Sequence, residues 1–182
     1  DQAHFAAALD APPAPESLAN ISKPRLMFVG AIDSYKLDLP MLTALARQRS
    51  EWSFILLGPV GEADPDTTIT ALQSLPNVHI MGLQPYADLP AWLAHADVAL
   101  LPLQENTYTQ HMFPMKFFEY LAAGRSVVAT RIPALRPYAS GALLCHPDPD
   151  AFEVAIATAL SGDGPSLEQR LALAAEHTYE SR

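Results

Sequence analysis

Apolar residues along this chain recur in two alternating rhythms. Short, nearly uninterrupted runs read as buried strands: Arg25–Gly30, Trp52–Gly58, Asn77–Gly82, Asp97–Leu103, Ser126–Thr130 and Ala142–Cys145. Between them the period lengthens to that of a helix. Leu39–Gln48 places Leu39, Leu42, Leu45 and Ala46 on one side, Thr67–Leu75 suggests a short helix, and Tyr86–Ala96 buries Leu89, Leu93 and Ala96. A further helix is predicted between Pro114 and Gly124, since proline suits a first turn and glycine the left-handed residue that ends one. Asp150 is expected to cap a helix over Ala151–Leu160, and Ser166 another over Leu167–Thr178. Strands alternating with helices predict a parallel sheet of about six strands covered on both faces, with right-handed crossovers. The fold class is α/β, doubly wound and Rossmann-like.

The Pro114–Gly124 helix carries an anomaly. Phe117, Phe118, Leu121 and Ala122 supply a buried stripe, and Glu119 brings an acid into it. Two readings stand: a solvated helix position, or a carboxylate that accepts hydroxyl hydrogen bonds from a ligand over the strand ends, where open α/β sheets bind ligands. The start of the same helix, Pro114 to Lys116, would attract a phosphate. A phosphate attractor and a diol acceptor on one short helix suggest a nucleotide.

Composition narrows the field. The chain has 182 residues, 49% of them hydrophobic and 17% charged, which suits a globular domain. A net charge of −9 argues against a nucleic-acid partner. No apolar run approaches the roughly 18 residues of a spanning helix. A single Cys145, expected to be a small buried hydrophobe, fits a reducing compartment. Residues 1–22 read as a tail or linker in which Pro12, Pro13 and Pro15 discourage regular structure, with one domain over 23–182.

Several chemistries lack their residues. There is no Gly-x-Gly-x-x-Gly after the first strand, no Walker loop and no Gly-x-Ser-x-Gly elbow. The six histidines show no metal-binding spacing. Asp64-Pro-Asp66 and Asp148-Pro-Asp150 mimic a metal-holding Asp-x-Asp pair, but proline between the acids fits turns and caps better. Gly30, Gly58 and Gly82 each end a strand. Glycine there either makes the turn, the reading favoured for Gly58, or keeps the backbone bare for a ligand.

The stretch Pro-Met-Lys-Phe-Phe-Glu-Tyr-Leu-Ala-Ala-Gly-Arg-Ser-Val-Val-Ala-Thr, residues 114–130, resembles the donor half of GT-B glycosyltransferases, particularly the retaining family 4, or group 1. Phe28-Val-Gly-Ala-Ile32, Leu56-Leu-Gly-Pro59 and the Asn77–Asp97 segment match in order, and Asp1 to Phe5 is similar to the linker joining the two halves. The resemblance implies a chain that binds a nucleoside diphosphate sugar, UDP- or GDP-linked foremost, and that transfers nothing without an N-terminal acceptor domain. It implies retention of configuration, no metal, no other cofactor and no catalytic base in this half. It also implies a cytoplasmic location, at the inner face of the membrane if the missing half docks there.

Carried over residue by residue, Glu119 matches the glutamate that holds the ribose hydroxyls, and His111 stands where the family has its first glutamate. His111 reads either as a donor to sugar or phosphate or as a loop residue. Met112, Phe113 and Pro114 would offer main-chain groups to the diphosphate. Ala31 replaces the family's arginine after Gly30, leaving Lys36 and Lys116 as candidate cations, Lys116 being equally readable as a solvated lysine. Gly82 to Tyr86 corresponds to the segment that contacts the base. Two other classes share the architecture, a nucleotide-sugar epimerase and a non-catalytic interaction module.

Overall fold

The computed structural model describes residues 1–177. The predicted strands form as β1 (Arg25–Val29), β2 (Ser53–Leu57), β3 (Val78–Gly82), β4 (Val98–Leu101), β5 (Ser126–Thr130) and β6 (Leu143–Cys145). They make one sheet in the order β3-β2-β1-β4-β5-β6, with every pair parallel. β2 and β4 are buried at every residue, as strands covered on both faces must be. The strand order reverses between β1 and β4, so the crevice outside their carboxyl ends is the topological switch point of this doubly wound α/β sheet.

The helices are α1 (Gln2–Ala6), α2 (Leu39–Gln48), α3 (Thr70–Gln73), α4 (Leu89–Ala94), α5 (Thr107–His111), α6 (Lys116–Ala122), α7 (Pro149–Leu160) and α8 (Leu167–Glu176). They fall into two contacting groups, α2 with α3 and α7, and α6 with α1 and α8, with α1 also meeting α4.

Element boundaries moved where local chemistry overrode periodicity. The helix expected over Thr67–Leu75 shrinks to α3, because Thr67, Thr68 and Ile69 are a β-branched run and Thr67 N–H closes a turn onto Asp64 O at 3.0 Å. The Tyr86–Ala96 segment opens as a 3-10 turn over Tyr86–Asp88 before α4 begins ahead of Pro90. The cap of α7 is Asp148, not Asp150: its carboxylate accepts Ala151 N–H at 2.9 Å and Pro149 takes the first helical position. Ser166 caps α8 as expected, through a capping box with Gln169. The expected end of that helix at Thr178 lies outside the described residues. α5 lacks apolar periodicity and is started by a capping box between Asn106 and Thr109.

The first 22 residues are not a loose tail. Asp1 caps α1 by accepting Ala3 N–H at 3.0 Å, and Phe5, Ala8, Leu18 and Ile21 are buried against the body of the domain. Proline keeps residues 11–15 free of regular structure, but the apolar residues on either side of it find a surface to cover.

Candidate functional site

A cleft of about 290 Å³ opens over the carboxyl ends of β1 and β2, on the β1 side of the switch point. Its floor is the turns after β1 and β2, Gly30-Ala31 and Gly58-Pro59. One wall is Leu83, Gln84 and Tyr86 from the loop after β3, and Lys116 reaches in from α6. A Cβ on Gly58 would sit 1.8 Å from the Gly30 carbonyl oxygen, so Gly58 is required by the close approach of the two turns, whatever the ligand. Gly82 has φ +74 and open space around its missing Cβ, as a turn leaving β3 requires.

Lys116 Nζ lies 3.0 Å from Glu119 Oε2, and the Glu119 side chain is 13% exposed. Glu119 stands behind Lys116 at the edge of the cleft, outside its immediate lining. α6 has seven residues, too short to sum a large macrodipole, so Lys116 supplies most of the positive charge at this end. Lys36 is half-buried. Desolvation holds its ammonium below the usual lysine value, partly offset by Asp33 and Glu62, and the nearby Lys116 lowers it further. Lys116 lines the cleft together with Glu62, whereas Lys36 lies outside the lining, near enough for its charge to feel both.

The support for Lys36 comes from residues without an obvious signature in the sequence. Leu37 bridges antiparallel to Leu103, Gln104 N–H donates to Lys36 O at 2.8 Å, and the Gln104 amide donates to Ser34 O. The Asn106 amide donates to Tyr35 O at 2.7 Å. Asp33 is buried and accepts Ala63 N–H and Asp64 N–H at 3.1 and 3.0 Å, which pins the loop bearing Glu62. Asp64 and Asp148 serve a turn and a cap, and among the described residues no acidic, His or Cys cluster could hold a metal.

The remaining predicted residues divide. Tyr86 lines the cleft and stacks on His4, with ring centroids 4.2 Å apart, while the His4 ring nitrogen Nε2 lies 2.8 Å from Tyr86 O. His111 is exposed and its Nδ1 faces Thr107 O within α5 at 2.9 Å. Phe113 stacks on Phe118, Met112 packs against the core, and Pro114 is buried where its carbonyl accepts Phe117 N–H. None of those four lines the cleft.

Residues 23–162 match the family described as glycosyl transferases group 1. The chain belongs to the group 1 glycosyltransferases. TuaH of Bacillus subtilis (strain 168), named as a teichuronic acid biosynthesis glycosyltransferase, is 36% identical over 109 residues, covering 60% of this chain and 27% of TuaH. Among solved structures, Anabaena HepE in complex with UDP and glucose superposes with a TM-score of 0.71 at 17% identity, over 94% of this chain and 47% of that one. Sucrose-phosphate synthase from Thermosynechococcus elongatus gives 0.66 at 22% identity, over 94% of this chain and 44% of that one. The group 1 chain thus spans about half the length of the solved proteins it matches and about a quarter of TuaH. Its fold is that of the GT-B glycosyltransferases, and no helix among the described residues is long and apolar enough to cross a membrane.

Proposed function

We propose that this chain is the donor half of a glycosyltransferase that moves a sugar from a nucleoside diphosphate sugar to an acceptor held by a second, N-terminal domain. The observation that carries this is the cleft over the ends of β1 and β2, where bare glycine turns meet Lys116 with Glu119 behind it. Glu119 would take the ribose hydroxyls, and Lys116 and Lys36 the diphosphate, stabilising the charge that develops on the leaving group. The main chain of Gly82 to Tyr86 would meet the base. HepE, a neighbour in fold, is described with UDP and with UDP-glucose, which supports a uridine nucleotide, while the guanosine alternative rests on the family resemblance alone. Transfer with retention, without a metal and on the cytoplasmic side of a membrane, follows from the family resemblance. The neighbours carry transferase and synthase names, which favours transfer over epimerisation.

The test is calorimetric titration of the chain with UDP, GDP, ADP and dTDP, wild type beside Glu119→Ala. One nucleotide should bind selectively, and the substitution should weaken it at least about tenfold, the weight of hydrogen bonds to a charged acceptor. Absence of binding by the wild-type protein to all four would sink the reading. Equal binding by the variant would remove Glu119 from the ribose.

A further inference from the structure

We propose that Tyr120 is a positioning residue for this cleft, its hydroxyl tying the helix that carries Lys116 and Glu119 to the turn that carries Gly30. The inference rests on the donor-site reading above. β1 pairs with β2 along its whole length, through Val29↔Leu57, but with β4 only at Leu26↔Val98 and Met27↔Ala99. Beyond Met27 no β4 residue pairs with β1, which leaves the end of β1 without a sheet partner on that side. The Val29 N–H is satisfied from outside the sheet, donating to the Tyr120 hydroxyl at 2.8 Å, and that hydroxyl sits 3.5 Å from Val29 O. Tyr120 is fully buried. Burial pushes its phenol far above the ordinary tyrosine value, so it stays protonated and serves as both donor and acceptor.

The consequence for the site is geometric. Phe117, Phe118 and Leu121 hold α6 to the core by apolar packing, which is non-directional and leaves rotation and sliding of a two-turn helix weakly specified. The hydroxyl–amide bond is directional. Tyr120 adjoins Glu119 in sequence, and Val29 adjoins Gly30, so one bond sets the distance between the ribose carboxylate and the cleft floor. Without it, the Val29 N–H would be buried and unpaired, and the turn at Gly30 would shift to reach water or another acceptor.

Tyr120→Phe keeps the ring and removes the bond. Titration of the 182-residue chain with the nucleotide that the wild type prefers should show affinity reduced about tenfold, the order expected from losing one buried positioning bond. Ile156→Val, a mild core change on α7, is the comparator for general destabilisation, and it should keep affinity within about twofold of wild type. Wild-type affinity in Tyr120→Phe, or an equal loss in the comparator, overturns the role. Amide exchange in the wild-type protein gives a second reading in which folding of a variant is not at issue. Bound nucleotide should slow exchange at Val29 together with the amides of α6, and slowing at α6 without Val29 also overturns it. Failure of the wild type to bind any nucleotide overturns the donor reading and this role with it, whereas normal wild-type binding with an unaffected variant overturns this role alone.

Discussion

The Lys116 ammonium and the Glu119 carboxylate meet at 3.0 Å, three residues apart on α6, and only the lysine lines the cleft. Oε2 of Glu119 is buried and meets no hydrogen-bond donor in good geometry, so the ammonium compensates its charge without satisfying its lone pairs. In the proposed site a nucleotide would donate two ribose hydroxyls to the acid, whose Oε1 now lies 3.7 Å from the Asp1 amino terminus, and offer phosphate to the base.

That division of labour is separable. Lys116→Met should lower affinity for the preferred nucleoside diphosphate about tenfold and leave the corresponding nucleoside within about twofold, because in the proposed site the lysine would address phosphate. Glu119→Gln should weaken both ligands. Parallel titrations with nucleoside and diphosphate read the difference, and an equal loss of both in Lys116→Met would place the lysine elsewhere.

Lys36 should trade stability against binding. Its folded value is depressed, chiefly by burial, so the unfolded chain holds the proton more tightly. Stability therefore rises with pH between the folded and the unfolded value, and at neutral pH the charged group opposes folding. Lys36→Met is expected to raise the melting temperature by about 1–3 °C at pH 7 while weakening diphosphate binding. A thermal melt and a titration on the same sample check both halves.

Phe5 should behave as core. Its side chain is fully buried beneath Lys116, whose Nζ is 5.5 Å from the ring centroid. Phe5→Ala is predicted to cost about 3 kcal/mol in urea unfolding, against under about 0.5 kcal/mol for Pro13→Ala on the exposed stretch. Equal small effects would return residues 1–22 to the status of a loose tail.

Cys145 should resist alkylation. Burial, with Asp148 adding to it, pushes the thiol up to about 12, and Sγ sits 3.9 Å from Ala129 O. Iodoacetamide at pH 8 is expected to label it far more slowly than a free thiol, and denaturant should abolish the difference. Rapid labelling of the native protein would contradict the geometry.

Strand positions were legible in the sequence because strands buried on both faces must be apolar throughout, as Phe54-Ile-Leu-Leu57 is. Helices with one apolar face, such as α2, were legible from their period, whereas α1 and α5 were not, and ends were set by single side chains that periodicity does not register. Asp148 rather than Asp150 caps α7, and Asn106 starts a helix with no apolar face. At the site, Lys116 and Glu119 stood out as charges within an apolar run. Tyr120, Asp33 and Gln104 did not, because each works by a contact with a residue distant in sequence, and a buried tyrosine reads as one more apolar position. His111 and Phe113, which motif spacing drew to the ligand, lie outside the cleft lining, on α5 and in an aromatic cluster.

The loop that leaves β3 has a consequence for change. Gly82 has empty space beside it and Leu83 is 78% exposed, while the Gln84 amide is tied locally to Met81 O at 2.9 Å. Gly82 is held to glycine by its φ of +74, but nothing in the interior depends on the identity of Leu83, which forms part of the cleft wall. Substitution at Leu83 can therefore reshape that wall without disturbing the folded scaffold, so this short loop is where the cleft's shape is freest to diverge.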